Sequence, residues 1–126
     1  MSTGSVRLIN CVFYAHHGVM QEEHRIGGRY EVDILMDLDF GAAAAEDDLG
    51  KTVDYERIYG MTRDIVTRNR FYLIERLAFL IAQGVLSEHP IIESVQVTVR
   101  KPNPPVGGPC DRAEAVYQAR RDAGIE

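Results

Sequence analysis

Two stretches of the chain alternate between apolar and polar residues, and this period of two predicts β-strands. Residues 29–40 carry apolar side chains at every second position, and residues 91–100 repeat the pattern with three valines. Residues 5–14 are rich in β-branched and aromatic residues, and residues 113–119 form a fourth candidate after a loop of prolines and glycines. The inward-facing positions are Tyr30, Val32, Ile34, Met36, Leu38 and Phe40 in the second predicted strand and Val95, Val97 and Val99 in the third.

Between these strands, apolar residues recur at the spacing of α-helices. The first predicted helix follows Asp54, an N-cap candidate, and ends near Asn69. The second spans about 73–87, with a broad apolar stripe that starts at Leu73. A single helical turn is predicted over 21–26.

The predicted order is strand, strand, helix, helix, strand, strand, within one domain that covers residues 1–126. Short connections at both ends suit antiparallel hairpins, so we expect an α+β fold with a four-stranded antiparallel sheet and two helices on one face. Two helices leave the sheet edges uncovered, and exposed edges pair readily with other strands. We therefore expect the subunits to join edge to edge into rings.

Composition narrows the class of protein. The chain has 126 residues, of which 45% are hydrophobic and 26% charged, which excludes a disordered chain. The net charge of −5 argues against nucleic acid as the main partner. The longest apolar run in a predicted helix, 77–82, is too short to span a membrane, and the first residues do not form a secretory signal. Two cysteines give no disulfide framework, so we expect a cytoplasmic protein.

Lys101 lies at the end of the third predicted strand, in step with its inward-facing valines. If the strand continues, the Lys101 side chain points toward the helix-covered face, where desolvation lowers the pKa of a lysine and suits it to acid–base chemistry. If the strand ends or twists at Arg100, Lys101 is an ordinary solvated side chain. The pattern alone leaves both possibilities open.

Two other residues combine a polar group with an apolar setting. Glu75 lies in the first turn of the second predicted helix, where it could accept hydrogen bonds from a heterocycle, stabilise the helix dipole, or pair with Arg70 or Arg76. Tyr55 follows Asp54, and its hydroxyl could relay a proton, although half-buried packing is the usual role of a tyrosine. Both residues keep a structural and a functional interpretation.

His16 and His17 suggest a metal site, but adjacent residues of a strand point to opposite faces. No cysteine or carboxylate completes a zinc-binding spacing, and the sequence has no phosphate-binding loop, dinucleotide-binding glycine motif or nucleophile elbow. Cys11 alternates within a strand and is predicted to be a core residue, whereas Cys110 lies in a loop. We therefore expect no metal and no cofactor.

Four segments taken together carry a more specific signal than any single residue. They are FYAHHGVMQEEHRIGGRYEVDI at 13–34, EDDLGKTVDYERIY at 46–59, RFYLIERLAFLIA at 70–82 and VTVRKPNPPVGG at 97–108. In this order and spacing they resemble the dihydroneopterin aldolase family. The resemblance implies the tunnelling fold, built from ββααββ units. It also implies a homo-octamer of two stacked tetrameric rings, with active sites between neighbouring subunits.

The resemblance further implies roles for individual residues. Glu75 of the LIE motif, with Ile74 beside it, would anchor the pterin ring, and Lys101 of the KPxxP motif would be the acid–base catalyst. Glu23, after the HGV turn, would assist catalysis, with Glu22 as the alternative at this position.

The TVxY motif would complete the site from another subunit. Tyr55 would be its catalytic residue, and Val53 and Asp54 would bind the substrate beside it. One departure from the family lies at the end of the chain, where the segment from Cys110 to Arg121 lacks the usual glycine-rich valine pattern.

The reaction implied by the resemblance is a retro-aldol cleavage in folate biosynthesis. It converts 7,8-dihydroneopterin into 6-hydroxymethyl-7,8-dihydropterin and glycolaldehyde, without a metal or a Schiff base, and C2′ epimerisation is an expected side reaction. Three alternatives remain: a dihydroneopterin triphosphate epimerase, which would use Arg68, Arg70 and Arg76 for the triphosphate, a zinc-using pterin enzyme of the same fold, and a non-catalytic assembly domain.

Overall fold

One antiparallel sheet organises the chain, and a computed structural model describes residues 3–121 of it. Its strands are β1 (Gly4–Ala15), β2 (Gly28–Leu38), β3 (Ser94–Pro102) and β4 (Arg112–Arg120), hydrogen-bonded in the order β1-β2-β3-β4. All three neighbouring pairs are antiparallel, so the predicted four-stranded sheet is confirmed. Its two edges are β1 and β4.

Two long helices cover one face of the sheet. Helix α3 (Tyr55–Thr67) packs against β1, and helix α4 (Ile74–Glu88) packs against β3 and β4. The shorter helices are α1 (Gln21–Arg25), which confirms the predicted turn, and α2 (Gly41–Glu46), followed by a 3₁₀ turn over Leu49–Lys51. Within residues 3–121, none of the helices is long and apolar enough to cross a bilayer.

Asp54 caps α3, as predicted. Its carboxylate accepts hydrogen bonds from the backbone N–H groups of Glu56 and Arg57, at 3.1 and 3.4 Å. At α4 the prediction was wrong in one respect: Leu73 has an extended backbone, serves as the N-cap and is exposed, so it does not belong to the apolar stripe. The stripe begins instead at Ile74.

The apolar core lies between the sheet and the two helices. Alternate residues of β2 from Tyr30 to Leu38 are buried there, as predicted. Phe40 lies beyond the end of β2 but still packs against the core, because the chain turns there into α2. The third strand starts at Ser94 rather than at residue 91, since Ile91 and Ile92 lie in the turn after α4. Cys11 is buried, as predicted.

The opposite face of the sheet carries a cluster of charged residues. Arg100 on β3 donates to both carboxylate oxygens of Asp33 on β2, at 2.6 and 2.9 Å, and to Glu31 at 3.2 Å. It also donates to the side-chain oxygen of Asn10, which lies in the register shift of β1. Arg100 therefore joins three strands on the face that no helix covers.

Candidate active site

Lys101 forms an ion pair with Glu23. Because β3 continues through Pro102, Lys101 stays in step with the buried valines, and the alternative in which the strand ends at Arg100 is wrong. The Lys101 ammonium donates to Glu23 Oε2, and the two side chains are only 17% and 15% exposed. The pair joins the end of β3 to α1, across 78 positions of the sequence.

The turn before α1 places the Glu23 carboxylate. The backbone N–H of Met20 donates to Glu23 Oε1 at 3.1 Å, and the N–H of Glu23 donates back to the Met20 carbonyl at 3.0 Å, so the helix is capped reciprocally. Gly18 has a φ of +137°, and a Cβ there would overlap the Glu23 carboxylate. Glycine is therefore required at this point of the turn.

The ion pair forms one wall of a cleft of about 360 Å³, which we call the Lys101 cleft. This volume lies within the range of small-molecule sites. Glu23 borders it and Glu22 does not; both glutamates border a second cavity on the far side of the ion pair. The lining residues are Gly18, Val19, Met20, Glu23, Tyr72, Leu73, Ile74, Glu75, Lys101, Pro104, Pro105, Val106 and Ala113.

Glu75 lines the same cleft, in the first turn of α4. The alternative pairing of Glu75 with Arg70 or Arg76 does not form within residues 3–121, and Arg76 lies instead over the rings of Phe71 and Phe79, at 5.8 and 5.7 Å. The exposed Glu75 carboxylate can therefore accept hydrogen bonds from a ligand, and the helix N-terminus stabilises its charge.

Burial changes the protonation of Lys101. Desolvation lowers the pKa of its ammonium group below the usual lysine value, while the adjacent Glu23 carboxylate favours the charged form. The Lys101 ammonium also lies 5.9 Å from the centre of the Tyr30 ring. A lysine with a lowered pKa next to a carboxylate can accept and return a proton.

Tyr55, Val53 and Asp54 lie at the other end of α4. The backbone N–H of Asp54 donates to His89 Nε2 at 3.4 Å, and His89 is the C-cap of α4. Because α4 has 15 residues, its two ends are about 21 Å apart. The structure therefore brings Glu23, Ile74, Glu75 and Lys101 together, but it does not bring the 53–55 segment into the same cleft of the same chain.

The side chains of the 53–55 segment have three different environments. Tyr55 is 58% exposed, so the interpretation as a half-buried packing residue is wrong for the single chain. Val53 is buried in the core, and Asp54 caps α3. Of the three, Tyr55 is the one with an exposed side chain.

Three large residues that line the Lys101 cleft could not be identified from the sequence patterns. Val19, Met20 and Tyr72 are exposed, although they are large and apolar or aromatic. Their position in the chain is the only signal, because Val19 ends the HGV motif, Met20 follows it and Tyr72 precedes the LIE motif. Within residues 3–121, no three histidine, cysteine or acidic side chains are grouped closely enough to hold a metal ion.

Comparison with known proteins adds independent evidence. The family model described as dihydroneopterin aldolase matches residues 6–118. The dihydroneopterin aldolase of Streptococcus pyogenes serotype M6 is 39% identical over 101 residues, covering 80% of this chain and 85% of the relative. That of Bacillus subtilis is 40% identical over 96 residues, covering 76% of this chain and 80% of the relative.

A solved structure has the same fold. It is that of Escherichia coli dihydroneopterin aldolase in complex with neopterin, with a TM-score of 0.84 and 23% identity, covering 92% of this chain and 98% of that chain. The family match extends over most of the chain and includes every segment that forms the Lys101 cleft. The chain belongs to the dihydroneopterin aldolase family.

Proposed function

We propose that this protein cleaves 7,8-dihydroneopterin into 6-hydroxymethyl-7,8-dihydropterin and glycolaldehyde, as a cytoplasmic enzyme of folate biosynthesis. The observation that carries the proposal is the Lys101–Glu23 ion pair, which lines one cleft together with Glu75. The family match and the close relatives named as dihydroneopterin aldolases support the same reaction.

Glu75 orients the substrate. A carboxylate has two acceptor oxygens, which match the 2-amino group and the ring N3–H of a pterin. Ile74 and the apolar residues of the cleft contact the ring faces. This anchoring holds the substrate side chain in a fixed position relative to the Lys101 amine.

The cleavage step begins with the proton of the 2′-hydroxyl, which passes to Lys101 directly or through water. The C1′–C2′ bond breaks, C2′ leaves as the aldehyde carbon of glycolaldehyde, and the bonding electrons remain on C1′. The ring C=N bond of the dihydropterin accepts these electrons, so the step needs neither a Schiff base nor a metal. A proton returned to C1′ gives the hydroxymethyl product, and Glu23 holds Lys101 in place for both transfers.

Tyr55 completes the site from a neighbouring subunit and helps to reprotonate C1′. Two observations support this assignment: Tyr55 is exposed, and it is separated from Glu75 of its own chain by the length of α4. Val53 and Asp54 contribute from the same segment. The edge strands β1 and β4 join neighbouring copies into rings, and two tetrameric rings form an octamer.

The direct test is to incubate the purified protein with 7,8-dihydroneopterin and to follow glycolaldehyde and pterin products by chromatography. We expect stoichiometric formation of both products, with a smaller fraction of C2′ epimer. A protein that only epimerises the substrate, or that leaves it unchanged, would contradict the proposal.

The shared site has its own test in mixed assemblies. Tyr55→Phe and Lys101→Ala chains are inactive separately but, when refolded together, form some sites that take an intact residue from each chain. Random mixing predicts recovery of about a quarter of the wild-type sites. No recovery, in mixed particles of the wild-type size, would place both residues in one subunit's site.

A further inference from the structure

His17 is a buried side chain that the proposed reaction does not use. It follows β1 in the HHG turn and is fully buried. Its ring stacks on Phe71, with 5.7 Å between centroids, and meets the edge of Tyr30 at 5.3 Å. The Tyr30 hydroxyl also bonds both the N–H and the carbonyl of His17. Such a densely bonded histidine is held in one orientation.

The two ring nitrogens of His17 have partners that determine its tautomer. Nε2 lies 2.7 Å from the Val66 carbonyl oxygen, which only accepts, so Nε2 carries the proton. Nδ1 lies 2.9 Å from the backbone N–H of Phe71, which only donates, so Nδ1 is unprotonated. The imidazole is therefore neutral, and a second proton on Nδ1 would face the Phe71 N–H.

The surroundings of His17 also favour the neutral form. Burial lowers the pKa of His17, and positive charge on His24, His16 or Lys101 lowers it further. The hydrogen bond to the Val66 carbonyl acts in the opposite direction and raises this pKa. The remaining titratable group in contact with the ring is Tyr30. The hydrogen bonds from His17 are thus maintained at neutral pH.

These hydrogen bonds connect the two walls of the Lys101 cleft. Phe71 lies three residues before the start of α4, which carries Glu75. Its N–H donates to His17, and its carbonyl accepts from the N–H of Gly18 at 2.9 Å. Gly18 leads into the turn that places Glu23. The Phe71 peptide is therefore bound on both sides by the turn that precedes the Lys101–Glu23 pair.

We propose that His17 is a positioning residue, whose neutral imidazole sets the distance between Glu75 and the Lys101–Glu23 pair. The proposal rests on the function proposed above. Glu75 fixes the ring while Lys101 acts on the side chain, so a displacement of α4 moves the reacting hydroxyl relative to the amine. A misplacement of about 1 Å can lower turnover about 10²-fold.

Two substitutions separate the hydrogen bonds of His17. In His17→Asn the amide lies near the Nδ1 position and can accept from Phe71, but the bond to Val66 is lost. In His17→Gln the amide reaches the Nε2 position and can donate to Val66, but the bond from Phe71 is lost. Thr62→Val is the matched control, because it removes a buried hydrogen bond to the Ile58 carbonyl within α3, away from the cleft.

The measurements are kcat with 7,8-dihydroneopterin, Kd for neopterin by fluorescence titration, and thermal unfolding. We expect His17→Gln to lower kcat about 10²-fold, with Kd changed less than about threefold, and His17→Asn to keep kcat within about tenfold of wild type. Thr62→Val should lose stability and keep kcat.

Three results would overturn the proposal: equal losses of kcat in both His17 variants, losses of kcat that follow the unfolding temperature across all three variants including Thr62→Val, or a folded His17→Asn protein without turnover. The last criterion decides the question even if His17→Gln does not fold. A wild-type protein that does not cleave 7,8-dihydroneopterin would instead overturn the proposed function. Cleavage by wild type with equal kcat in the two His17 variants would overturn only the role of His17.

Discussion

Arg100 and Lys101 are neighbours on β3, and each binds carboxylates on a different face of the sheet. Arg100 contacts Asp33 and Glu31 on the uncovered face, whereas Lys101 contacts Glu23 beside the cleft. The two cations are similarly buried, with 13% and 17% of the side chain exposed. Their surroundings differ in hydrogen bonding, since within residues 3–121 Arg100 donates to three side chains and Lys101 to one.

From this difference we expect Arg100 to contribute to stability and Lys101 to the proposed reaction. The guanidinium of Arg100 forms a planar fork with Asp33, and these bonds raise the pKa of Arg100, so it stays charged. The pKa of Lys101 is lowered by burial, so its amine can lose a proton at lower pH than a solvated lysine. An arginine suits the cluster that joins three strands, and a lysine suits the cleft.

The largest effect is expected from loss of the Lys101 amine. Lys101→Ala should lower kcat about 10²-fold or more, because acid–base assistance is lost, and Lys101→Arg should do the same while keeping the charge. The measurement is kcat beside Kd for neopterin, which should change less. Lys51→Ala, at an exposed lysine paired with Glu46, is the control. Near-normal turnover in either Lys101 variant would contradict the role of the Lys101 amine as the acid–base catalyst.

The next effect concerns Glu75, whose carboxylate has no side-chain partner among residues 3–121, in contrast to that of Asp33. Glu75→Ala should weaken the affinity for neopterin by about 10- to 100-fold, because hydrogen bonds to a charged acceptor are lost. Fluorescence titration measures the change. Glu46→Ala, which removes a carboxylate on α2 that is distant from Glu75 in the sequence, should bind neopterin with normal affinity. Unchanged affinity in Glu75→Ala would exclude this residue as the anchor.

On the opposite face, Arg100→Met should affect stability rather than turnover. It leaves the carboxylates of Asp33 and Glu31 without their main partner, and we expect a loss of about 2 kcal/mol in the free energy of unfolding. Urea unfolding measures the loss. Arg112→Met, which breaks an exposed pair with Glu114, should cost less than about 0.5 kcal/mol. If Arg100→Met and Arg112→Met were equally stable, the Arg100 cluster would make no measurable contribution to the free energy of unfolding.

The smallest expected effect is a pH dependence of stability. Hydrogen bonds from Arg100 lower the pKa of Asp33 in the folded protein, so the folded state binds fewer protons than the unfolded chain. This stabilisation is complete above the unfolded pKa of about 4 and is lost as the pH falls through the folded pKa. Between pH 3 and about 7, the free energy of unfolding measured in urea should fall less steeply toward low pH in Arg100→Met than in wild type. Identical slopes would contradict the role of Arg100.

Local sequence patterns predicted most of the fold. The alternation in β2 and the cap at Asp54 depend on neighbouring residues, so the elements could be placed before any contact was known. The assignment of Leu73 to the apolar stripe was wrong because its spacing fits the stripe, although the residue precedes the first turn of α4.

The candidate site was less accessible to the same reasoning. The sequence pattern left two orientations open for Lys101, and the pairing of β3 with β4 as far as Pro102 decides between them. The exposure of Tyr55 depends on where α4 ends relative to α3, which no local pattern encodes. Family resemblance supplied the site residues that local patterns left undecided, and their roles remain predictions.

The length of α4 has a consequence for how many pockets an assembly can contain. In the proposed assembly, each chain would contribute one half of a pocket at each end of this helix, because the two ends lie too far apart to meet within one molecule. If neighbours supply the missing half head to tail, an open row of n chains has n − 1 complete pockets, whereas a closed circle has n. Closing the ring would then join the two unpaired half-pockets at the ends of the row into one complete pocket. For the same number of chains, a closed ring would therefore contain one more complete pocket than a filament.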